Sequence, residues 1–324
     1  MRVLEDNQET RERYSRIYKT SETATVYQSP EWLRVLESLR GELIFLEIDE
    51  NSLIPFICKG RGRLKRCYSL SFDTYGGPVS RSSPNVSFEE VVHALKIPSV
   101  RMVDFSHIMV DRSNSAIEFH AHIMDLTGGI ERVTKAYTKK NREALRQSAR
   151  RGIQIEKMND PKLLPVFYAL VSHAARRHRT VPHPMPLLRQ IYKIMVPKNM
   201  ASFYFARHEN KAVACNLILR DKKTAYDWLL GYKEEFLQLR PANALIDRAV
   251  RNEIDIGCEA FNLGTSPFEH RGIIKFKESF GAKPYPYRVF FKAGLSYSVM
   301  RKLKSRALRL GPGKPAKNSN GVDE

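Results

Sequence analysis

A lysine flanked by aromatic residues in the last third of the chain has surroundings that suit chemistry on a carbonyl group. Lys277 lies in the run FKESF at 276–280, between Phe276 and Phe280. A fixed ammonium stabilises negative charge that develops on an oxygen during reaction, whereas a lysine on an exposed helix face would only be solvated. Phe276 and Phe280 are four residues apart and predict one buried helix face. Lys277 falls beside that face, where either role fits.

Two further groups for such chemistry lie about fifty residues earlier, in the segment AYDWLLGY at 225–232. The Asp227 carboxylate is predicted to take a proton from an attacking ammonium, and the Tyr232 hydroxyl to serve the leaving group. Side chains alternate along a strand, which predicts that only one of Tyr226 and Asp227 faces a cleft. Ordinary exposed strand positions explain these residues as well.

A phosphate site is predicted where the segment RPAN at 240–243 begins a helix. Free N–H groups and the helix dipole favour an anion at a helix N-terminus. Arg240 would add a charge, and Ala242 and Asn243 would let a ligand approach. The alternative is an ordinary helix start with proline in the first turn.

The segment YGGP at 75–78 is predicted to end a strand at 68–75. Glycines at a strand end permit close approach of a ligand to the backbone. We therefore predict that Tyr75, Gly76 and Gly77, together with Phe276, line a substrate site. A plain turn explains the glycines nearly as well.

The charge balance predicts an anionic partner. The chain of 324 residues has 54 Lys and Arg against 35 Asp and Glu, a formal net charge of +19. Such an excess favours nucleic acid, a phosphorylated cofactor or an acidic membrane surface. Apolar residues make up 42% of the chain, which fits a folded soluble protein. An integral membrane segment is not expected, because no apolar stretch approaches the roughly 20 residues that span a bilayer.

The cysteines and histidines do not indicate a metal site. Cys58, Cys67, Cys215 and Cys258 show no CxxC spacing, and we expect four free, buried thiols in a reducing cytosol. His120 and His122 would share one strand face but have no cysteine or carboxylate nearby at ligand spacing. No metal is therefore predicted.

The order of predicted elements repeats along the chain. Each half has a helix, three strands joined by tight turns, a further helix and a strand, and the second half also opens with continuous helices at 130–151 and 161–178. The repeat predicts a tandem duplication of one α/β unit. We expect the first unit at 1–120, the second at 121–298, and a basic helix with a disordered tail at 299–324.

Four stretches, in their order along the chain, resemble the FemAB-like tandem branch of the GNAT acyltransferases. They are QSPEWL at 28–33, YGGP at 75–78, KNREALRQSARRGIQI at 140–155, and FNLG at 261–264 with FKESFGA at 276–282. The resemblance covers about residues 25–295. It implies an α/β (α+β) fold of two GNAT-like units, each with a mixed, mostly antiparallel sheet flanked by helices.

The resemblance also implies acyl transfer to an amine, with Lys277 at the acyl-transfer cleft. The donor would be an acyl-CoA such as acetyl-CoA, or an aminoacyl-tRNA. The segment LRPANAL at 239–245 has no glycine, unlike the usual CoA-binding loop. The second unit also has no room for the helical hairpin of tRNA-using relatives. Both donors therefore stay open.

The acceptor implied by the resemblance is an amine of an amino sugar, an amino acid or a lipid-linked cell-envelope precursor. We expect a cytoplasmic protein that contacts tRNA or an anionic inner membrane surface through its basic segments, including the C-terminal one. The alternative is a non-catalytic, basic RNA- or membrane-binding protein on a degenerate GNAT scaffold.

Overall fold

The computed structural model describes residues 1–39, 41–70, 72, 74–82, 84–113, 115–178, 180–266 and 270–294. The predicted basic helix and tail at 299–324 lie outside these residues. The helices are α1 Gln8–Thr20, α2 Pro30–Glu37, α3 Phe88–Leu95, α4 Gly129–Ala136, α5 Lys139–Arg150, α6 Leu164–Arg177, α7 Met185–Met195, α8 Pro241–Ile256 and α9 Arg271–Glu278. The strands are β1 Arg2–Leu4, β2 Glu42–Asp49, β3 Ser52–Lys59, β4 Arg66–Ser69, β5 Val79–Ser80, β6 Ser99–Asp104, β7 Ile117–Asp125, β8 Gln154–Lys157, β9 Ala201–His208, β10 Lys211–Asp221, β11 Thr224–Tyr232, β12 Ala260–Thr265 and β13 Lys283–Lys292.

The strands of the described chain form one sheet in the order β1-β2-β3-β4-β6-β13-β7-β12-β11-β10-β9-β8, and β5 pairs with β3 beside this path. Among the paired strands of this sheet, β4–β6 and β11–β12 are parallel. The last strand, β13, lies between β6 and β7 and is antiparallel to both. The predicted mixed, mostly antiparallel sheet flanked by helices is confirmed, and the two halves of the chain share it.

The prediction of a strand at 68–75 is wrong, because β4 ends at Ser69. Tyr75, Gly76 and Gly77 lie in the segment that follows. Gly76 passes so close to β4 that a Cβ atom there would lie 1.8 Å from the carbonyl oxygen of Ser69. Gly77 has a φ of 87°, in the left-handed region that glycine adopts without strain. The glycines are therefore explained by a tight path of the backbone.

The predicted helix at 130–151 is also wrong as one continuous element. It divides into α4 and α5, because Tyr137 is extended and the Thr138 side chain accepts a hydrogen bond from Asn141 N and caps α5. The Tyr137 ring, 2% exposed, packs edge-on against Phe280 at 5.3 Å. The break thus places an aromatic anchor beneath α9.

The prediction of four free cysteines is wrong for two of them. Cys58 on β3 and Cys67 on β4 are direct partners in the strand register, with Cα atoms 4.1 Å apart, and form a disulfide. Cys215 and Cys258 are free and buried. Sequence spacing could not reveal the pair, because it depends on the pairing of the two strands.

Apolar contacts join the two halves of the molecule. Trp32 of α2 is fully buried and meets Trp228 of β11 edge-on, with ring centroids 5.1 Å apart. Tyr27 packs against Tyr226 of the same strand at 5.2 Å. Helix α2 and the residues just before it therefore support the strand that carries Asp227.

Candidate active site

The site begins where two strands of the second half diverge. β11 and β12 are parallel and pair through three residues each, Thr224–Tyr226 with Ala260–Asn262. β11 continues to Tyr232 and β12 to Thr265 without further pairing between them. Asp227 is the first residue of β11 beyond the paired segment. The opening between the strands therefore starts directly beside its carboxylate.

Lys277 reaches the same opening from α9. Its Nζ donates hydrogen bonds to the carbonyl oxygens of Gly264 at 2.8 Å and Thr265 at 2.9 Å, at the end of β12. The residue is only 9% exposed, so the alternative of a solvated lysine does not hold. Two of the three ammonium donors are thereby fixed against β12.

The charges of Lys277 and Asp227 act on each other in a buried environment. Burial raises the pKa of Asp227 to about 7, against the positive charge of Lys277 and the nearby Asn216 amide. Burial lowers the pKa of Lys277 to about 8, against the negative charge of Asp227. Groups with pKa values near neutrality can take and give protons at physiological pH. The structure thus brings these two predicted catalytic residues together.

Aromatic packing holds Lys277 in place. Phe280 is 1% exposed. The centroid of its ring lies 5.3 Å from that of Tyr137 and 5.4 Å from that of Phe276. Gly281 has a φ of 78°, and a Cβ atom there would lie 2.8 Å from Cβ of Ala136. The C-terminal end of α9 is therefore pressed against α4, and the lysine on its last turn has little freedom to move.

A cavity of about 310 Å³ adjoins Asp227 and lies between the two halves of the chain. We call it the aromatic cavity. Its wall consists of Tyr27, Phe72, Tyr75, Arg101, Val103, Phe119, His183, Tyr226, Asp227, Trp228, Asn262, Gly264, Thr265, Tyr287 and Val289. Both Tyr226 and Asp227 border this cavity, and the prediction that only one of the two side chains faces the cleft stays a prediction. The two residues lie opposite Leu219 and Ile218 in continuous register, and the shift against β10 comes only after Asp227.

Asn262 links the two halves inside this cavity. The Tyr75 hydroxyl donates to Asn262 Oδ1 at 3.4 Å, and the backbone N–H of Gly264 donates to the same oxygen at 2.7 Å. Asn262 Nδ2 and Asp227 Oδ1 are buried and have no hydrogen-bond partner within the described part of the chain. Both residues border the cavity, and the Asp227 carboxylate also interacts with the Asn216 side chain on β10.

A larger and more basic cavity of about 1030 Å³ is bordered by α5, α8 and α9. We call it the basic cavity. Its wall consists of Thr138, Lys139, Lys140, Asn141, Glu143, Ala144, Gln147, Arg240, Asn243, Gly272, Lys275, Phe276, Glu278 and Ser279. The first turns of α5 and α8 meet there through a hydrogen bond from Asn243 Nδ2 to Asn141 Oδ1 at 2.8 Å. Two helix N-termini and four cations thus surround one space, an arrangement that suits a phosphorylated ligand.

The remaining predicted site residues lie in different places. Arg240 and Asn243 border the basic cavity, as does Phe276, whereas Ala242 lies in the same turn outside its wall. The Tyr232 hydroxyl contacts His178 Nε2 at 3.0 Å at the end of α6, away from both cavities.

The two glycines of the YGGP segment support Tyr75 and do not form the cavity wall. The Gly77 backbone N–H donates to Ser69 Oγ at 2.7 Å, and the Gly77 carbonyl oxygen accepts a hydrogen bond from Gln28 Nε2 at 3.1 Å. Of the predicted substrate-binding residues, Tyr75 is the one at the aromatic cavity.

Sequence reasoning did not single out Asn262, Tyr27 or Trp228, which line the aromatic cavity. A signal existed for Asn262, because a polar amide stands between Phe261 and Leu263 in a buried strand. Buried polar groups in strands need partners, which marks such a residue for attention. Tyr27 and Trp228 carry no comparable signal, since aromatic residues are equally common in plain cores.

The described residues were also searched for metal-binding groups and for helices that could span a membrane. Among the described residues, no group of three or more His, Cys, Asp and Glu side chains is arranged to hold a metal ion. None of the nine helices in the described ranges has the length and apolar character needed to cross a bilayer.

The chain was compared with known families and structures. The family of acetyltransferase (GNAT) domains matches residues 135–277. The sequence matches no curated protein. Among solved structures, FemX is similar with a TM-score of 0.64 and 12% identity, over 89% of this chain and 97% of that one.

Two other structures show the same fold. The C-terminal domain of a putative lysylphosphatidylglycerol synthetase from Agrobacterium fabrum has a TM-score of 0.60 and 16% identity, over 93% of this chain and 96% of that one. A tandem GNAT protein from the clavulanic acid biosynthesis pathway has a TM-score of 0.50 and 13% identity, over 90% and 96% of the two chains. The chain therefore contains an acetyltransferase (GNAT) domain at residues 135–277, and it shares its fold with FemX and the tandem GNAT protein over nearly its whole length.

Proposed function

We propose that this protein transfers an acyl or aminoacyl group to an amine by direct attack, with Asp227 and Lys277 as catalytic residues. The observation that carries the proposal is the meeting of Asp227 and Lys277 at the divergence of β11 and β12. The aromatic cavity adjoins Asp227, and α9, which carries Lys277, borders the basic cavity. A donor and an acceptor can thus approach the pair from different sides.

In the proposed reaction Asp227 takes a proton from the acceptor ammonium, and the neutral amine attacks the donor carbonyl carbon. The C–S bond of a thioester, or the C–O bond of an aminoacyl ester, then breaks, and the leaving sulfur or oxygen takes up the second proton that the attacking nitrogen loses as the amide forms. Lys277 stabilises the negative charge on the carbonyl oxygen. Because the acyl group passes directly to the amine, the barrier is lowered by positioning and charge stabilisation.

The donor is an acyl-CoA such as acetyl-CoA, or an aminoacyl-tRNA, with its phosphates in the basic cavity. Arg240, Lys139, Lys140 and Lys275 supply the positive charge there. Both donor classes carry phosphates, in acyl-CoA at the far end of the pantetheine arm from the thioester and in aminoacyl-tRNA in the nucleotide backbone next to the aminoacyl ester. The structural comparisons do not favour one donor class over the other. FemX and the lysylphosphatidylglycerol synthetase share the fold as much as the tandem GNAT protein does.

The acceptor is an amine of a small molecule or of a lipid-linked cell-envelope precursor. We place the reaction in the cytoplasm, with peripheral contact to an anionic membrane through basic segments. The predicted C-terminal part of that contact falls on residues 299–324, outside the described residues.

The test combines donor binding with turnover. Thermal shift and transfer assays would compare acetyl-CoA, longer acyl-CoAs and aminoacyl-tRNA, using wild type, Asp227→Asn, Lys277→Ala and the control Lys193→Ala, which changes an exposed lysine on α7. We expect one donor class to bind, and the two site variants to lose about 100-fold or more in kcat while the control does not. If no donor binds but RNA or anionic vesicles bind with a steep salt dependence, the protein is a non-catalytic binding module instead.

A further inference from the structure

A buried histidine that the proposed reaction does not use lies on β7, close to Lys277. His122 is 2% exposed, and its Nδ1 atom contacts Ser266 Oγ at 3.4 Å. Ser266 is itself only 1% exposed. Buried polar side chains are kept where their partners are fixed by the fold. The pair of His122 and Ser266 is therefore closed off from solvent and has its role inside the protein.

The strand register places His122 opposite an irregularity of β12. Residue 262 of β12 pairs with residue 123 of β7, and residue 265 pairs with residue 121. Between these pairs, Leu263 and Gly264 together oppose His122 alone, which is the pattern of a β-bulge. Gly264 has a φ of 74°, a conformation that glycine adopts without strain. The bulge is thus built into the sequence at the residue facing His122.

The bulge directs two successive carbonyl groups toward the same side chain. In a regular strand, neighbouring residues direct their carbonyl groups to opposite edges. Here Lys277 Nζ donates to the carbonyl oxygens of both Gly264 and Thr265, at 2.8 and 2.9 Å. Both residues also line the aromatic cavity. The irregular end of β12 therefore determines where the Lys277 ammonium lies relative to that cavity.

Ser266 attaches this end of β12 to β7 in two ways. Its backbone N–H donates to the carbonyl oxygen of His120 at 3.3 Å, and its hydroxyl contacts the His122 ring. The carbonyl carbon of Thr265 is bonded directly to the Ser266 nitrogen. A displacement of Ser266 therefore moves one of the two oxygens that hold the Lys277 ammonium.

A neutral imidazole suits this position because of the charges that face it. Burial and the positive charge of Lys277 lower the pKa of His122, as does His120, against the negative charge of Glu278. A second positive charge beside the buried ammonium would repel it. Neutral histidine holds the serine without adding such a charge.

We propose that His122 is a positioning residue, a neutral imidazole that holds Ser266 so that the carbonyl groups of β12 fix the Lys277 ammonium. His122 is not among the described residues that line the two cavities, so it acts through the lysine. The effect on turnover rests on the proposed function. The position of the ammonium is a property of the free protein, and it is testable without donor or acceptor.

The first experiment measures the pKa of Lys277 in the free protein by ¹³C NMR of the lysine Cε atoms. The resonance is assigned by its loss in Lys277→Arg. His122→Leu and Ser266→Ala remove the polar contact, so the ammonium gains water. Its pKa should rise from about 8 toward the ordinary lysine value by about one pH unit or more.

Two further variants serve as rescue and control in the same measurement. His122→Asn can place an amide atom where Nδ1 lies, and it should keep the pKa of Lys277 near that of the wild type. His93→Leu, a matched change on the exposed face of α3, should leave it unchanged. Thermal unfolding of each variant verifies that the fold is intact.

The second experiment is a double-mutant cycle on turnover. His122→Leu and Ser266→Ala should each lower kcat by about 10-fold and leave the KM values of donor and acceptor nearly unchanged. The double variant should lose no more than either single variant, because both substitutions break the same link. Independent structural damage at the two positions would instead multiply the losses.

The outcomes separate this inference from the proposed function. It is overturned if the pKa of Lys277 is the same in His122→Leu as in the wild type, if His122→Asn behaves like His122→Leu, or if the losses multiply. Should His122→Leu fail to fold, Ser266→Ala and His122→Asn decide by the same criteria. If the NMR pattern is found but no donor supports transfer, the positioning of Lys277 stands and the proposed reaction fails. If transfer depends on Lys277 but not on His122, the reverse holds.

Discussion

Replacing Lys277 by arginine should change the shape of the pH–rate profile. In the proposed reaction Asp227 acts ionised and Lys277 acts protonated. Their pKa values of about 7 and about 8 place the optimum between them. At about pH 7.5 roughly 60% of the enzyme would hold both groups in the required state, and at about pH 5.5 or pH 9.5 only roughly 3% would. The profile of kcat is therefore a bell that falls about 20-fold on each side.

Two substitutions of Lys277 affect the acid and the alkaline sides of the pH–rate profile differently. Arginine stays protonated beyond the accessible pH range, so Lys277→Arg should remove the alkaline fall while the acid side remains. Lys277→Met removes a positive charge that favours the ionised carboxylate of Asp227. It should move the acid side to higher pH by about one to three pH units. Because the two groups interact, the inflections of the wild type belong to the pair.

The assay is release of free thiol or free tRNA at saturating donor and acceptor, from about pH 5 to pH 10. The acceptor amine titrates identically with every variant, so differences between profiles report on the protein. Carboxyl ¹³C NMR on wild type and Asp227→Asn gives an independent readout of the aspartate. The reasoning is refuted if the wild-type profile has no inflection between pH 6 and pH 9, or if Lys277→Arg keeps the alkaline fall.

Three further outcomes follow from the described contacts. Arg240→Ala should raise the KM or Kd for the phosphorylated donor by about 10-fold and change kcat little. The control is Arg248→Ala, on the exposed side of the same helix, which should leave donor binding in calorimetry unchanged. Glu253→Gln should lower the free energy of unfolding in urea by about 3–5 kcal/mol, because it leaves Arg220, with a side chain 5% exposed, as an uncompensated buried charge; an unchanged midpoint would contradict this. Gly76→Ala should abolish soluble folded protein or lower the melting temperature sharply, because its Cβ would lie 1.8 Å from a backbone carbonyl oxygen, and a variant as stable as wild type would show that the loop can move aside.

The sequence predicted local elements well where proline, glycine and apolar spacing act within a few residues. The helix that begins at Pro241 and ends before Gly257 is an example, and the hairpin of β2 and β3 is another. These signals depend on neighbouring residues, so they need no knowledge of the fold. The same reasoning failed at Tyr137, where burial against Phe280 outweighs the tendency of 130–151 to continue as one helix.

The sequence singled out some residues of the candidate site, but it did not predict how they are arranged in space. Asp227 and Lys277 were each singled out, but the sequence does not tell that their charges interact. Tyr75 and Asn262 are 187 residues apart and touch inside one cavity. Such contacts depend on strand order across the whole sheet, and periodicity within a segment contains no information about that order.

The place of β13 in the sheet bears on how the protein is made. β6 and β7 both pair with β13, and residues 283–292 are synthesised after every other strand of the described chain. Until then two strand edges with open hydrogen-bonding groups are exposed, and such edges can pair with other chains. We expect the nascent protein to need protection until β13 has left the ribosome, and fragments that stop before residue 283 to aggregate.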